Sequence, residues 1–345
     1  MSDLGLFINP KDGGKSIELT KDNYPLTFIT KITTHPRYPQ KDNRNKSVNV
    51  PGLSRYNVVI IPSALCHFLA YGSVQMVRVG SYWTSGDTFH CYYDEFGGPD
   101  GWLPGSDGES HFFLYGTLKD NPPDTYGLFL NAGASTAIDN FRSITQENEV
   151  AYCVYRKKIY IDVNNNRGYW SLPNDIPNRS SALVFLRPES TSQVLRYDRP
   201  NNRIISWGAG WVYVVVFSYG LNLQPADGLT IWNKQGKVVF NSDYIPFFNN
   251  GHTIKMSGNV ATSSFEKPMF SMDMPNTWLE NERVNVNCYL SGFRVENNKL
   301  IANRMWTIDF YPSYANYMYN QVVYSSSYCI DFNDYFYPLK TLNHK

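Results

Sequence analysis

The sequence predicts an all-β protein, and three observations carry this prediction. Aromatic residues make up 16% of the 345 residues, with 26 Tyr among them, and aromatic side chains favour strands over helices. Short stretches alternate apolar and polar residues between clusters of turn-forming residues, as strands and turns do. No window longer than about ten residues has the period of an amphipathic helix. We therefore expect antiparallel sheets with little helix.

The clearest single element is a β-hairpin predicted between Gly228 and Ser242. This stretch reads Gly-Leu-Thr-Ile-Trp-Asn-Lys-Gln-Gly-Lys-Val-Val-Phe-Asn-Ser, and apolar residues alternate in both of its arms. The turn between the arms ends at Gly236, where a positive φ costs little. Weaker copies of the phrase start at Gly5 and Gly127 and predict two further hairpins.

The three hairpins divide the chain into three units. Their starts are 122 and 101 residues apart, a spacing typical of domains rather than solenoid repeats. A second phrase, Ser63-Ala64-Leu65 and then Ser181-Ala182-Leu183, supports a duplication. Polar, Pro-containing linkers at 121–124 and 224–227 mark the junctions. We predict three tandem antiparallel β-sandwich-like modules with Greek-key or meander connections. They are unit one (1–122), unit two (123–224) and unit three (225–345), the last with an aromatic-rich C-terminus.

The composition argues against several classes of protein. Lys and Arg (31) balance Asp and Glu (30), for a formal net charge of +1, so we expect no nucleic-acid partner. Five scattered Cys without a C-x-x-C pair predict neither a disulfide framework nor a zinc ribbon. The N-terminus lacks the regions of a signal peptide, and the longest apolar run, 212–217, is too short to span a membrane. We expect a soluble protein made in a reducing cytoplasm, without Sec export or membrane insertion.

Catalytic and cofactor motifs are incomplete wherever the sequence approaches them. Gly13-Gly14-Lys15-Ser16 lacks the first glycine of a P-loop, and Ser135 stands on a predicted hairpin turn instead of a nucleophile elbow. Several soft ligands occur in unit one without zinc spacing: Cys66, His67, His90, Cys91 and His111. We therefore expect a protein that is not an enzyme, with no catalytic residue, metal or cofactor.

Two chemical alternatives stay open. The acidic loop at 94–109 contains Asp94, Glu95, Asp100, Asp107 and Glu109, and such carboxylates can bind Ca²⁺ even though the EF-hand order is missing. A polysaccharide hydrolase needs two carboxylates about 5–10 Å apart across a cleft. Asp and Glu are frequent enough for such a pair, but the sequence does not place it.

Aromatic side chains are the positive functional signal. Tyr offers flat area and a hydroxyl at low entropic cost, which suits subunit interfaces and recognition surfaces, and sugar rings also stack on such faces. One group of candidates lies near the C-terminus: Tyr311, Tyr314, Tyr317 and Tyr319. The other lies in or beside the long loop of unit one, where binding residues are common: Tyr82, Trp83, Tyr92, Tyr93 and Trp102. Both groups are candidate receptor or interface contacts, while core packing and self-association are the simpler interpretation.

The hairpin phrase also resembles a known pattern. From Gly228 to Ser242 the residues fit G-L-x-[aliphatic]-x-N-x-x-G-K-x-x-F-x-S, which is similar to the module-opening hairpin of tail-tip and tail-fibre proteins of tailed bacteriophages. The resemblance covers fifteen residues here and extends loosely over the chain through the copies at Gly5 and Gly127. It carries no catalytic residues with it.

The resemblance implies a virion structural protein at the distal tail, made in the host cytoplasm. Such a protein contributes to host attachment through non-catalytic, polyvalent contacts. The implied partners are other tail proteins and a bacterial surface receptor, either a glycan or an outer-membrane protein. We also expect a homo-oligomer, with a trimer favoured because tail tips commonly have three-fold symmetry. The lack of a collagen-like or coiled-coil shaft leaves a purely architectural connector or capsid decoration as the alternative, and a polysaccharide hydrolase as the third.

Overall fold

The regular elements of the described chain are β-strands and short 3₁₀ turns, which confirms the all-β prediction. The computed structural model describes residues 5–8, 17–20, 23–35, 44–71, 73–96, 109–119, 127–131, 141–145, 149–165, 167–225, 228–233, 235–271, 273, 276–282, 285–312, 321–324 and 326–336. All strand pairs in these ranges are antiparallel.

Each copy of the hairpin phrase forms its own two-stranded sheet, as predicted. The three sheets pair β1 (Gly5–Ile8) with β2 (Ile17–Thr20), β10 (Gly127–Asn131) with β11 (Phe141–Thr145), and β18 (Thr230–Trp232) with β19 (Val238–Asn241). In the third copy Gly236 has a φ of 77°. The Asn233 side-chain oxygen accepts hydrogen bonds from the N–H groups of Gln235 (3.1 Å) and Lys237 (2.8 Å). Asn and Gly thus fix the turn that the sequence predicts.

After each hairpin the chain builds a three-stranded inner set with the last strand in the middle. In unit one this order is β3 (Thr27–Thr34), β9 (Ser110–Leu118) and β5 (Tyr56–Ser63). In unit two it is β12 (Tyr152–Ile161), β17 (Gly210–Ser218) and β14 (Leu183–Pro188). In unit three it is β20 (His252–Lys255), β27 (Ser326–Asp331) and β22 (Pro268–Ser271).

The outer strands repeat a second order. Unit one has β4 (Asn45–Asn49), β8 (Thr88–Phe96), β7 (Ser73–Ser85) and β6 (Cys66–Tyr71). Unit two has β13 (Arg167–Ser171), β16 (Arg203–Trp207) and β15 (Val194–Asp198). Unit three has β21 (Val260–Thr262), β25 (Lys299–Pro312) and β24 (Asn285–Glu296), extended by β23 (Asn276–Glu282) and β26 (Gln321–Tyr324).

The sheets are not divided into three separate sandwiches, and the prediction is wrong in this respect. Strand β14 pairs with β22 at Leu186 and Phe270, and β15 pairs with β24 at Leu195 and Phe293, so units two and three share a six-stranded and an eight-stranded sheet. Together with the three- and four-stranded sheets of unit one, they form the arrangement of a four-bladed propeller. Shared sheets cover strand edges that separate sandwiches would leave unpaired.

Alternation along the inner strands explains how the sheets stack. Phe112 and Leu114 of β9 pack towards the four-stranded sheet, while Phe113 and Tyr115 pack into a core shared with the six-stranded sheet. Successive side chains of a strand point to opposite faces, so β9 is buried on both sides. Strands β23 and β26 of the eight-stranded sheet contact β6 and β7 of the four-stranded sheet, which closes the ring.

The second repeated phrase does not mark equivalent places. Ser63 is the last residue of β5, so Ser63-Ala64-Leu65 lies at the end of that strand. Ser181-Ala182-Leu183 instead lies at the beginning of β14. The equivalent features are the 3₁₀ turns Leu53–Arg55 and Arg179–Ser181, which directly precede β5 and β14. Each turn follows a residue with positive φ, Gly52 at 82° and Asn178 at 48°.

A cycle of backbone hydrogen bonds joins the three units where their inner strands begin. The N–H of Leu26 donates to the carbonyl of Phe247 (2.7 Å), that of Phe247 to Ala151 (2.8 Å), and that of Ala151 back to Leu26 (3.1 Å). Three further bonds flank this cycle, each two residues away from one of its bonded pairs and running in the opposite direction: Phe28 to Glu149 (3.0 Å), Cys153 to Ile245 (2.8 Å) and Asn249 to Tyr24 (3.2 Å). We call residues 26, 151 and 247 the hydrogen-bond triangle. Its bonds run in one sense, from unit one to unit three, from unit three to unit two and from unit two to unit one.

The opening hairpins meet beside this triangle. Leu19 of β2 packs in one apolar cluster with Ile231, Val238 and Phe240 of the third hairpin. Strand β10 of the second hairpin also contacts β18. Three copies of one sequence phrase, far apart in the chain, therefore assemble in one place.

Candidate functional site

The aromatic candidates of unit one separate into surface and core residues. Trp83 is 44% exposed and stacks on His90 of the neighbouring strand, with ring centroids 5.2 Å apart. Tyr93 lies in the core, where its hydroxyl is 2.6 Å from the Thr34 hydroxyl. Tyr82 and Tyr92 are half-buried, and the Tyr82 ring lies 5.4 Å from that of Phe112. Tyr93 is therefore a packing residue and cannot be a surface contact, whereas Trp83 can.

The other predicted candidates fall outside what the structure describes. Trp102, Tyr314, Tyr317 and Tyr319 lie outside the described residues, and Tyr311 belongs to β25 without a described side chain. Residues 97–108 of the acidic loop are also outside, so its Ca²⁺ site stays a prediction. At the start of this loop, Asp94 forms an ion pair with Arg78 at 3.4 Å.

The described surface contains a cleft of about 560 Å³ along strand β12, which the sequence did not predict. Three chain segments form its walls: residues 153–157 of β12, residues 173–177 of the loop after β13, and residues 243–245 after the third hairpin. Its polar and aromatic lining consists of Tyr155, Arg156, Lys157, Asp175, Asp243 and Tyr244. We refer to it as the β12 cleft.

Local backbone features hold these walls in place. A β-bulge between Cys153 and Tyr155 bends β12, and bulges re-aim the side chains beside them. The Cys153 N–H donates to the Ile245 carbonyl at 2.8 Å, which ties two walls together. In the wall formed by residues 173–177, the side chain of Ile176 is buried. The Ser218 hydroxyl donates a hydrogen bond to the Pro177 carbonyl and so holds the end of this wall. These contacts fix the relative positions of the three walls.

Two tyrosines give the cleft its aromatic surface. The ring of Tyr155 packs against Trp170, with centroids 5.4 Å apart, and burial raises the pKa of its phenol. Tyr155 is thus a protonated hydroxyl donor at neutral pH. Tyr244 is 41% exposed, and its ring meets Tyr152 edge-on at 6.0 Å. The ammonium of Lys157 lies 5.7 Å from the Tyr155 ring centroid.

Charges of both signs balance in the β12 cleft. Asp175 and Asp243 are exposed, and neither carboxylate has a side-chain hydrogen bond or ion pair with the described residues. Arg156 donates to the Tyr335 carbonyl at 2.9 Å, which leaves Lys157 as the more available cation. The cleft therefore offers hydroxyl, carboxylate and ammonium groups beside flat aromatic faces.

The described residues contain no set of three or more His, Cys, Asp or Glu placed to bind a metal ion. Two of the histidines noted in unit one form hydrogen bonds with serine hydroxyls: the ring of His67 with Ser110 (2.8 Å), and the ring of His90 with Ser47 (2.9 Å). Burial lowers the pKa of His67 to about 4. For His111, burial first and then the nearby Arg199 and Lys31 charges lower the pKa to about 3. Both are neutral structural residues at pH 7.

The thiols of Cys153 and Cys329 are not activated. Cys329 lies 3.4 Å from a ring nitrogen of His252, which is the pairing of a thiol nucleophile with its base. However, burial raises the pKa of the Cys329 thiol to about 11 and that of Cys153, at the floor of the β12 cleft, to about 12. Reactive cysteines have lowered pKa values instead.

One buried ion pair connects the sheets. Arg199 and Asp273 are both about 5% exposed and bond at 2.9 Å. The Ser63 hydroxyl of unit one donates to Asp273, and the Arg199 guanidinium stacks over Phe113 at 4.6 Å. Because the pair links side chains of all three units and opens onto no described cavity, we regard it as a structural junction.

The chain is thus an all-β protein of three hairpin-led units with an open, aromatic, charge-balanced cleft. The chain belongs to a family of unknown function, DUF6453, whose family model matches residues 5–312. Neither a curated protein nor a solved structure matches the chain. The described residues also include no helix long and apolar enough to cross a membrane.

Proposed function

We propose that the chain is a structural protein of a bacteriophage virion, placed at the distal tail, that contributes to host attachment through non-catalytic surface contacts. The observation that carries this proposal is the hairpin phrase itself, which resembles the module-opening hairpin of phage tail proteins. Its support from the structure is that all three copies fold as hairpins and gather beside the hydrogen-bond triangle.

In this proposal the chain is a triplication with units at residues 1–122, 123–224 and 225–345, of which the second and third share their sheets. The repeated inner and outer strand orders support such a triplication. Each module opens with its hairpin, and the triangle docks the modules on one another.

The β12 cleft is the first proposed contact surface. Loops and strand edges on a rigid scaffold commonly carry binding, and Trp83 with its stacked His90 is a second exposed contact. Weak sites of this kind gain strength through the many copies of a tail protein on one particle.

A purely architectural role is the second candidate, and a specific surface favours it. Tyr160 and Trp211, opposite each other on β12 and β17, are 51% and 44% exposed and form an edge-to-face pair at 5.2 Å. Lys158 lies 5.1 Å from the Trp211 ring and pairs with Glu189 at 2.7 Å. Exposed aromatic residues rimmed by charges are typical of protein interfaces, so this surface fits another tail subunit.

The test is binding of the purified, fluorescently labelled protein to intact bacteria from a panel of Gram-negative strains. Saturable binding to some strains, reduced in Trp83→Ala or in Tyr244→Ala, supports attachment. A folded sample that binds no strain but binds isolated virion components supports the architectural role. Release of reducing sugar from surface polysaccharide, abolished by Asp175→Asn or Asp243→Asn, would instead identify a hydrolase.

A further inference from the structure

We infer that the β12 cleft binds a neutral oligosaccharide, with Tyr155 and Tyr244 stacking on sugar rings. This inference rests on the proposed function only for the source of the glycan, which is the bacterial surface. The site itself follows from the lining of the cleft.

The size and openness of the cleft suit a chain of sugars. Its volume of about 560 Å³ lies within the range of small-molecule sites, about 300–1,000 Å³. Four of its lining side chains are exposed: Lys157, Asp175, Asp243 and Tyr244. A ligand can therefore extend beyond the cleft at its open side, as a polysaccharide segment must.

The lining matches the two kinds of surface that a sugar ring presents. The apolar C–H face of a pyranose packs on a flat aromatic ring, and the exposed Tyr244 and the half-buried Tyr155 offer such rings. Hydroxyl groups both donate and accept, and they can donate to the Asp175 and Asp243 carboxylates and accept from Lys157. Because neither carboxylate has a side-chain hydrogen bond or ion pair with the described residues, a sugar hydroxyl has to displace only water from them.

The charges select the class of glycan. A phosphorylated or uronate-rich chain would bring anions close to Asp175 and Asp243 as well as to Lys157, so repulsion would offset the attraction. An apolar ligand would remove water from both carboxylates without giving them new hydrogen bonds. Neutral hydroxyl-rich sugars avoid both penalties. The fixed walls, tied through Cys153 and Ile245, also reduce the ordering cost of binding.

The experiment uses the full-length protein on an array of bacterial surface oligosaccharides that includes neutral, uronate-containing and phosphate-containing chains. Titration calorimetry with the strongest neutral oligosaccharide follows. We expect Tyr244→Ala to weaken binding roughly tenfold or more, and Asp175→Asn and Asp243→Asn roughly threefold to tenfold each. Tyr160→Ala is the matched control, because it removes an exposed tyrosine from the same strand outside the cleft, and it should leave the affinity unchanged.

Three results would overturn the inference: no neutral oligosaccharide binds at millimolar concentration, the strongest ligands are charged, or Tyr244→Ala binds as well as the wild type. A cell-binding assay distinguishes failure of the glycan-binding inference from failure of the proposed function. If Tyr244→Ala loses the glycan but still binds cells, attachment uses another surface. If the cleft binds glycans but no bacterial strain is bound, the site stands and the attachment proposal fails.

Discussion

Strands β3 and β12 occupy equivalent places in units one and two, yet the described cleft lies along β12. Both strands follow the hydrogen-bond triangle, and both contain a β-bulge at the same point, between Phe28 and Thr30 in β3 and between Cys153 and Tyr155 in β12. At β3 the Phe28 ring is stacked on Tyr219 at 3.8 Å, and the residue after the bulge is Thr30 where β12 has Tyr155. The repeated backbone thus provides the frame, and a few side chains decide whether it carries a site.

The largest loss of stability should come from a substitution at the hydrogen-bond triangle, where the three units meet. Phe247 is fully buried at the hydrogen-bond triangle and packs against Phe217 at 4.6 Å and Tyr115 at 5.4 Å. Phe247→Ala should lower the free energy of unfolding by about 3–5 kcal/mol, because it leaves a cavity between three units. Urea unfolding followed by circular dichroism measures this, with the exposed Trp232→Ala, expected within about 0.5 kcal/mol of wild type, as the control. A loss below about 1 kcal/mol would mean that the units do not depend on this junction.

Acid should act first on unit one, since this unit buries neutral histidines. Burial lowers the pKa of His67 to about 4, below the 6.5 of an unfolded histidine, so between these values the unfolded chain binds the proton and the folded chain does not. Stability is complete above pH 6.5 and should fall by about 3 kcal/mol by pH 4 through His67 alone. The measurement is urea unfolding at several pH values for wild type and His67→Asn. An equally steep fall in stability in the variant would exclude His67 as the cause.

The sequence could predict the local elements but not how distant ones combine. Alternating apolar residues and the turn glycine Gly236 are enough to predict the third hairpin, because a hairpin is formed by residues that lie close together in the chain. The same period of two could also have separated the outward Trp83 from the inward Tyr93 on adjacent strands. The short Ser-Ala-Leu phrase misled, because three residues do not distinguish a strand's end from its beginning. The β12 cleft had no signal, since its walls come from three segments with no shared motif.

A substitution that carries the unit-one residue into unit two sharpens the comparison directly. Tyr155→Thr should keep the bulged backbone of β12 but remove one aromatic face of the cleft, so it should weaken neutral oligosaccharide binding roughly tenfold. Titration calorimetry gives the affinity, and Tyr160→Thr on the opposite face of the same strand is the control. Unchanged binding in Tyr155→Thr would show that the bulge, common to β3 and β12, suffices without the tyrosine.

The smallest expected loss of stability comes from a substitution in the turn of the third hairpin, an element that all three units share. Gly236 has a φ of 77°, and an added Cβ there would meet no atom within 4 Å. The cost of Gly236→Ala is therefore purely conformational, about 1 kcal/mol. Gln235→Ala, in the same turn without a positive φ, is the matched control, and urea unfolding measures both. If the two variants proved equally stable, the turn would tolerate a conformation other than the left-handed one.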